Sequence, residues 1–414
     1  MTAHTETPRS ERPLPLRLFN GVGRHLGADG RAWISLDPDK LVRNAEEKTG
    51  LHDWGGDSWR EALQQLTHSF EREARLNLFG RVMVRQYLDR ILANRLKIQQ
   101  ELKAHPEILD IEIRKPLVIV GLPRTGSTLT QRLLARDPGA RSLMTWEMMH
   151  PIPPPRPETY LSDPRIRGMH RRLKLLDWAA PDFMRAHEVV AGEPEECISL
   201  MQGTLQSITF EILAYLPGYR AWLATQDMRA SYRDYKRQLQ LLQSQYDKHH
   251  WVLKSPFHMW GLEALMEVFP DARVVQTHRS PVNVMPSLCS LFSAMYTLTS
   301  DEHEPRQIGA MWLDDVAAIT DHIIDLRDRI GDDRFIDVSY RDMVSDPIGI
   351  AESIYQRFGM ELGEDARRAM RDWLAANPQH KRGVHRYTLD EFGLSEPAVT
   401  RAFARYFQRF GQYL

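Results

Sequence analysis

Cysteine is almost missing from this sequence, with Cys197 and Cys289 the only two among 414 residues. Two cysteines cannot build a disulfide framework or a cysteine-rich zinc site, and such scarcity is typical of a reducing compartment. Long apolar runs are missing as well. We therefore expect neither a signal peptide nor a membrane-spanning segment, which needs roughly 20 apolar residues, and we predict a cytoplasmic protein.

A large excess of charge of either sign is also missing. The chain has 54 Lys and Arg against 55 Asp and Glu, for a formal net charge of −1. A nearly neutral chain argues against binding nucleic acid through bulk positive charge, so we expect no nucleic-acid partner. The hydrophobic content of 42% is enough for a large core, in one or two domains.

Three parts of the chain differ in pattern. Residues 1–36 are polar and interrupted by Pro and Gly, which predicts a flexible N-terminal arm. Residues 37–114 repeat apolar residues at three- and four-residue steps, which predicts a helical region packed on the main domain. Residues 115–414 alternate short apolar runs with helical patterns. This alternation predicts an α/β fold with a parallel sheet covered by helices on both faces.

The predicted elements of the third part can be placed individually. Strands are expected at 117–120, at 251–254, in "ARVVQTHRSP" and at 334–340. Between the first two strands lies an insert, residues 143–250. It starts with the proline-rich "WEMMHPIPPPRPETYLSDPRI", expected to be an ordered surface loop, and continues with helical patterns over 194–215 and 228–248.

A phosphate-binding loop without its usual lysine follows the first strand. "LVIVGLPRTGST" spaces Gly121 and Gly126 as an ATP or GTP loop does, but Ser127 stands in place of the lysine. The start of the next helix presents backbone N–H groups to an anion. Three hydroxyls and one cation can add to them: Thr125, Ser127, Thr128 and Arg124. The missing lysine argues against a nucleoside triphosphate with magnesium. It therefore also argues against a P-loop small-molecule kinase, which is kept as the alternative enzyme.

The segment "PRTGST" (123–128) resembles the loop P-[KR]-[ST]-G-[ST]-[ST] of the sulfotransferases that use 3′-phosphoadenosine 5′-phosphosulfate (PAPS), and it matches at every position. With "LKSPFH", "FPDARVVQTHRSP" and "HRYTLDEFGL", the chain from about Thr49 onward resembles the bacterial branch common in actinobacteria. The resemblance implies a P-loop-type three-layer fold and PAPS as co-substrate. It assigns the 5′-phosphosulfate to Pro123, Arg124, Thr125, Gly126, Ser127 and Thr128.

The resemblance implies further contacts to the cofactor. The family holds the 3′-phosphate with an arginine at a strand end and a serine eight positions later, which here are Arg279 and Ser287. It closes over the adenosine with a basic loop of the form R-K-G-x-x-G. In this chain "HKRGVHR" supplies Lys381, Arg382 and Gly383, but the second glycine of the family's loop is replaced by arginine.

The resemblance also implies the reaction, transfer of a sulfuryl group by in-line attack to a hydroxyl of a small acceptor of apolar or lipid-like character. No metal is required, because Arg124 and Lys254 can stabilise the charge that develops on the departing phosphate. The family's K-T-H segment places a histidine directly after K-T, but Pro256 occupies that position here.

Three residues are candidates for the general base. His258 is the nearest imidazole and ranks first, because a histidine titrates near neutral pH. Glu195 in "GEPEECISL" ranks second and His187, slightly upstream, ranks third. A nucleotide-binding homologue that kept the 3′-phosphate site but lost its base is the non-catalytic alternative.

The acceptor side is less clearly marked. The residues 143–250 are expected to form it, and Met144, Trp146, Met148 and Met149 could line a pocket or pack in the core. The N-terminal helices could also contact a second copy of the chain in a homo-oligomer.

Overall fold

The protein is described here by a computed structural model that covers residues 12–25, 30–246, 248–377 and 387–414. Its centre is a five-stranded parallel sheet in the order β2-β3-β1-β4-β5. The strands are β1 Leu117–Gly121, β2 Ala140–Arg141, β3 His250–Lys254, β4 Arg273–His278 and β5 Phe335–Ser339. The four predicted strands are confirmed. The two-residue β2 was missed, because it is too short to show an apolar pattern.

Strand β1 is covered on both faces. Val118 and Val120 pack in one buried cluster, whereas Leu117 and Ile119 pack in another, as expected when successive side chains point to opposite faces. The central parallel sheet therefore lies between two helical layers, which confirms the predicted three-layer α/β fold.

Helices make up most of the described chain. The α-helices are α1 Leu14–His25, α2 Pro38–Thr49, α3 Ser58–Arg72, α4 Leu78–Ala104, α5 Ser127–Leu134, α6 Thr145–Met149, α7 Pro164–Ala179, α8 Pro181–Ala186, α9 Pro217–Leu223, α10 Arg229–Gln243, α11 Leu262–Val268, α12 Pro281–Thr299, α13 Pro305–Ile330, α14 Tyr340–Ser345, α15 Pro347–Arg357, α16 Glu364–Ala376, α17 Glu396–Ala402 and α18 Ala404–Phe410. Short 3₁₀ segments lie at Pro106–Asp110, Pro157–Thr159, Cys197–Thr204, Ile208–Ile212, Pro256–Gly261, Asp390–Phe392 and Gly411–Tyr413. Within the described ranges, no helix is long and apolar enough to cross a membrane.

The N-terminal part is more ordered than the sequence suggested. Residues 1–36 were expected to be a flexible arm, but 14–25 form α1. Leu16 is buried, and the Asn20 side chain accepts a hydrogen bond of 3.0 Å from the N–H of Phe79. The prolines that suggested an arm do not oppose a helix, because Pro15 lies in the first turn of α1, where its missing N–H has no cost.

The insert also differs from expectation in two places. The helical pattern over 194–215 does not form one continuous helix. That stretch forms two 3₁₀ segments, separated at Leu205 by a left-handed backbone with φ of 58°. The proline-rich stretch, expected to be a loop, contains the short helix α6 and the start of α7. Both cysteines are free and buried, which agrees with the absence of a disulfide framework.

Candidate active site

The parallel strands bring the site together at one edge of the sheet. Ile119 of β1 is in register with Lys254 at the end of β3, and Gly121 is in register with Thr277 of β4. Because the carboxyl ends of parallel strands meet at the same edge, the loops after β1, β3 and β4 are neighbours.

Two glycines shape the loop between β1 and α5. A Cβ atom at Gly121, where φ is 131°, would lie 2.3 Å from the carbonyl oxygen of Thr277. At Gly126, where φ is 88°, it would lie 3.1 Å from the ring of Tyr340. Glycine is therefore needed at both positions. The loop can then approach β4 closely and turn the unpaired N–H groups of the first turn of α5 towards a ligand.

The loop hydroxyls have different surroundings. Ser127 and Thr128 line a cavity beside the loop, as do Pro123 and Gly126. The hydroxyl of Thr125 is fully buried, donates to the carbonyl oxygen of Leu122 at 2.6 Å and lies 2.6 Å from the hydroxyl of Thr277. The Thr125 side chain thus fastens the loop to β4 instead of facing the cavity.

Two arginines place positive charge at this loop. Arg124 donates from Nη1 to the carbonyl oxygen of Ala186 at 2.6 Å, and Arg279 donates from Nη1 to the carbonyl oxygen of Arg124 at 3.0 Å. The guanidinium of Arg279 also lies 4.3 Å from the ring centre of Tyr340. Burial lowers the pKa of Arg124, and the neighbouring Arg279 lowers it further. Both side chains line the cavity, so two adjacent cations can meet an anion there.

Four further residues were predicted to contact the 3′-phosphate and adenosine. Ser287 is half-buried on α12, two turns beyond Arg279, and is not one of the residues that line the cavity. Lys381, Arg382 and Gly383 lie outside the described residues. The roles of these four residues stay predictions.

A histidine and a glutamate face each other in the same cavity. His187 Nε2 lies 3.3 Å from Glu195 Oε1, and both residues line the cavity. Burial alone would raise the pKa of Glu195, but the charge and hydrogen bond of His187, together with Lys254, lower it to about 2. Glu195 is therefore ionised at neutral pH and is a weak base. It is well suited to orient the imidazole and to stabilise its protonated form.

Lys254 and Glu196 form a second pair behind this one. The ammonium of Lys254 lies 3.0 Å from Glu196 Oε1, and the hydroxyl of Ser255 donates to Glu196 Oε2 at 2.9 Å. Ligand atoms of His187, Glu195 and Glu196 lie within 4.8 Å of one another, a spacing that a metal ion could use. The ammonium of Lys254 already neutralises one of these carboxylates, so the arrangement is better suited to moving a proton than to binding a cation.

The structure argues against His258, the first-ranked candidate for the base. Its ring is fully buried, with Nδ1 2.9 Å from the hydroxyl of Tyr232 and Nε2 3.2 Å from the sulfur of Cys197. Burial lowers its pKa to about 3. Its neighbours Pro256 and Phe257 line the cavity, but the 3₁₀ turn that they begin directs the imidazole of His258 into the core.

The cavity has a volume of about 420 Å³ and a large apolar part. Aliphatic, methionine and aromatic side chains from several helical segments line this part, which we name the apolar chamber. They are Met83, Tyr87, Met148, Met149, Met169, Leu173, Leu176, Phe183, Ile212, Leu288, Leu291, Phe292 and Met295. Of the four candidates named from the sequence, Met148 and Met149 line the chamber, whereas Trp146 packs in a buried cluster with Met144 against it.

Comparisons with known proteins agree with this geometry. The model of the family described as "Sulfotransferase family" matches residues 116–364. The chain belongs to the sulfotransferase family. This membership confirms the resemblance noted in the sequence, and it makes the chain a sulfotransferase instead of a kinase. The sequence resemblance to a bacterial, actinobacterial-type branch is supported by the relatives.

Two solved structures are similar to this sulfotransferase over almost its whole length. Sulfotransferase STF1 from Mycobacterium tuberculosis H37Rv is 36% identical with a TM-score of 0.79, covering 89% of this chain and 98% of that one. Sulfotransferase STF9 from Mycobacterium avium is 32% identical with a TM-score of 0.82, covering 90% and 96%. A curated relative, the omega-hydroxy-beta-dihydromenaquinone-9 sulfotransferase Stf3 of Mycobacterium bovis, is 26% identical over 299 residues, which are 67% of this chain and 71% of the relative.

Several residues of the site were not identified from the sequence. Thr277 and Tyr340 lie at or just after the carboxyl ends of β4 and β5, and this position could have marked them as neighbours of the loop. The residues of the apolar chamber on α4 and α7 carried no such signal, because their spacing is equally typical of ordinary helix packing.

Proposed function

We propose that this sulfotransferase transfers the sulfuryl group of PAPS to a hydroxyl of a lipid-like acceptor. One observation carries the proposal: a single cavity joins the glycine loop and its two arginines to the apolar chamber. His187 follows Ala186, whose carbonyl oxygen binds Arg124, so the proposed base lies beside the loop.

The loop residues fit the phosphosulfate group. The glycines leave room for a ligand close to the backbone, and Ser127 and Thr128 offer hydroxyl donors. Arg124 is assigned to the 5′-phosphosulfate and Arg279, supported by the Tyr340 ring, to the 3′-phosphate. When bound, PAPS supplies the sulfuryl group and the phosphate leaving group.

His187 is proposed as the general base. An ionised Glu195 can only accept hydrogen bonds, so it receives the Nε2–H of His187 and leaves Nδ1 free to accept the proton of the acceptor hydroxyl. As the imidazole becomes positively charged, the adjacent carboxylate stabilises it. Glu195 is thus a positioning residue.

Lys254 has a different proposed role from the one expected from the sequence. Its side chain is only 1% exposed, and its ammonium is held by Glu196. We assign it to positioning the Glu195–Glu196 segment through Glu196. The charge that develops on the departing phosphate is assigned to Arg124, which lines the cavity.

The apolar chamber sets the class of acceptor. Its methionines and leucines offer no charged partner to a polar acceptor, but they fit a flexible hydrocarbon chain. The relative Stf3 is named for a substrate derived from menaquinone, which is a lipid. An alcohol with a long apolar chain is therefore the proposed acceptor for this chain.

Calorimetric titration of the full chain with adenosine 3′,5′-bisphosphate, adenosine 5′-monophosphate, and ATP with magnesium tests the cofactor. We expect tight binding of the bisphosphate only. Preference for ATP would contradict the use of PAPS.

Transfer from labelled PAPS to a series of primary alcohols of increasing chain length then tests the acceptor, and the expected result is a kcat/KM that rises with chain length. A kcat/KM that falls as the chain is lengthened would refute the lipid-like acceptor.

A further inference from the structure

Helix α7 has two faces of opposite character. Met169, Leu173 and Leu176, at steps of four and three residues, line the apolar chamber. The helix is therefore part of the wall of the chamber, and one layer of backbone separates the chamber from the exterior.

The outer face of α7 is both cationic and apolar. Arg167, Arg171, Lys174 and Trp178 follow one another at steps of four, three and four residues, and all four are exposed. Leu175 beside them is 59% exposed and Trp178 is 45% exposed. Just before the helix, Leu161 is 91% exposed. We name these six residues the α7 face: Leu161, Arg167, Arg171, Lys174, Leu175 and Trp178.

Further positive charge lies around the same helix. α7 contains five Arg and Lys residues and one acidic residue, Asp177. Burial lowers the pKa of His150 to about 4, and the cations Arg172, Arg90, Arg165 and Lys97 contribute to this effect. Arg165 is paired with Asp163, but the other four cations of α7 still outnumber Asp177, so the charge at this side of the chamber is positive and favours an anionic partner.

Helix α1, which contributes to the same buried cluster as α7, also carries exposed apolar side chains. Leu16 of α1 packs in the same buried cluster as Met169 and Leu173 of α7. Other α1 residues point outward and are between 42% and 63% exposed: Leu14, Leu18, Phe19 and Val22. Two helices that contribute to one buried cluster thus each turn apolar side chains to the exterior, which is unusual for a surface that contacts only water.

We infer that the α7 face docks on the surface of a membrane that contains anionic lipids, with the apolar chamber directly behind it. Arg and Lys attract the headgroups, while tryptophan and leucine enter the interface between headgroups and acyl chains. Docking there would hold the chamber within about one helix diameter of a membrane that contains the lipid acceptor. The delivery of the acceptor rests on the proposed function, whereas the docking itself does not.

Flotation of the full-length protein with vesicles tests the docking. We expect binding to vesicles of phosphatidylcholine with 30% phosphatidylglycerol and little binding to phosphatidylcholine alone. The double variant Arg171→Glu, Lys174→Glu should bind the anionic vesicles at least tenfold more weakly. A matched control, Arg371→Glu, Arg401→Glu, makes the same change of net charge on the exposed surfaces of α16 and α17 and should bind like the unmodified protein.

A second pair of variants tests the apolar contribution. Leu175→Ser, Trp178→Ser should weaken vesicle binding severalfold, whereas Leu109→Ser, Ile330→Ser, at exposed apolar residues elsewhere, should not. Unchanged affinity for adenosine 3′,5′-bisphosphate in every variant shows that the fold and the cofactor site are intact.

Three results would overturn the inference. The first is no binding of the unmodified protein to anionic vesicles. The second is an equal loss of vesicle binding in the α7 variants and in their controls. The third is a stable dimer that only the α7 variants dissociate, because a second copy of the chain would then cover this face. A chain that binds vesicles but not the bisphosphate would refute the proposed function and leave the docking in place.

Discussion

The two ends of the cavity are built in different ways. At the loop end, most of the residues that line the cavity come from one continuous stretch within 123–128, and Gly121 and Gly126 set the course of its backbone. At the other end, the apolar chamber is assembled from side chains on α4, α6, α7, α8 and α12, which are far apart in the chain. A site built from backbone in one segment tolerates little variation, whereas a chamber built from many side chains can change its shape by single substitutions.

The difference predicts that the two ends can be damaged independently. A substitution at the loop end should change affinity for the nucleotide alone, and one in the chamber should change use of the acceptor alone. A substitution between the two ends should leave the affinities for nucleotide and acceptor unchanged and should lower the rate of transfer.

The largest effect is expected between the loop end of the cavity and the apolar chamber, where His187 lies. His187→Ala should lower kcat by about 10²- to 10⁴-fold, because a general base contributes an amount of this order. Affinity for adenosine 3′,5′-bisphosphate should stay the same. His258→Gln is the matched control, since it changes a histidine that lies outside the cavity. Initial rates and titration of both variants check this, and a large loss of kcat in His258→Gln alone would reverse the assignment.

At the loop end, Arg279→Ala should weaken binding of adenosine 3′,5′-bisphosphate by about 10- to 100-fold, the value of a charged hydrogen bond. The KM for the acceptor should not change. Arg279→Lys should recover only part of the affinity, because an ammonium cannot stack on the Tyr340 ring as a guanidinium does. Calorimetry measures the affinities. Equal binding by the Ala variant and the unmodified protein would remove Arg279 from the site.

Behind the cavity wall, His258 should affect stability and its dependence on pH. Its pKa in the folded chain is lowered to about 3, below the ordinary value near 6.5. As pH falls below about 6.5 the unfolded chain takes up a proton that the folded chain refuses, so stability is lost between these two values. The expected loss from this group between pH 8 and pH 5 is about 2 kcal/mol.

Urea unfolding at pH 8 and pH 5 measures this loss. His258→Gln should be less stable than the unmodified protein at pH 8, because its contacts with Tyr232 and Cys197 change. Its further loss on going to pH 5 should be smaller by about 2 kcal/mol. The same loss in both proteins would show that His258 is protonated in the folded chain.

In the apolar chamber, Leu176→Glu should raise the acceptor KM by about tenfold, because a carboxylate repels a hydrocarbon chain and must be kept hydrated. Leu175→Glu is the control, one position along α7 on the exposed side. With a water-soluble alcohol as acceptor, the control should leave KM unchanged, and neither variant should alter bisphosphate affinity. Steady-state kinetics measure this effect, and equal KM values for the two variants would place the acceptor elsewhere.

The fold could be predicted from the sequence to the extent that local patterns determine it. The four longer strands carry apolar, β-branched runs, and their alternation with helices leads directly to a parallel sheet with two helical layers. Helix α1 and the 3₁₀ segments of the insert could not be predicted in this way. Their form depends on tertiary contacts, such as the bond from the N–H of Phe79 to Asn20, that leave no local pattern.

The same distinction holds for the site. The sequence by itself predicted the roles of the glycine loop and Arg279, because the family's motif and the end of a strand place these groups within short, continuous segments. The proposal of the His187–Glu195 pair over His258 rests on the tertiary structure alone. That choice depends on side-chain direction, and the 3₁₀ turn at Pro256–Gly261 directs the His258 ring into the core. The partners of His187 and the shape of the apolar chamber likewise arise from segments that meet only when the chain is folded.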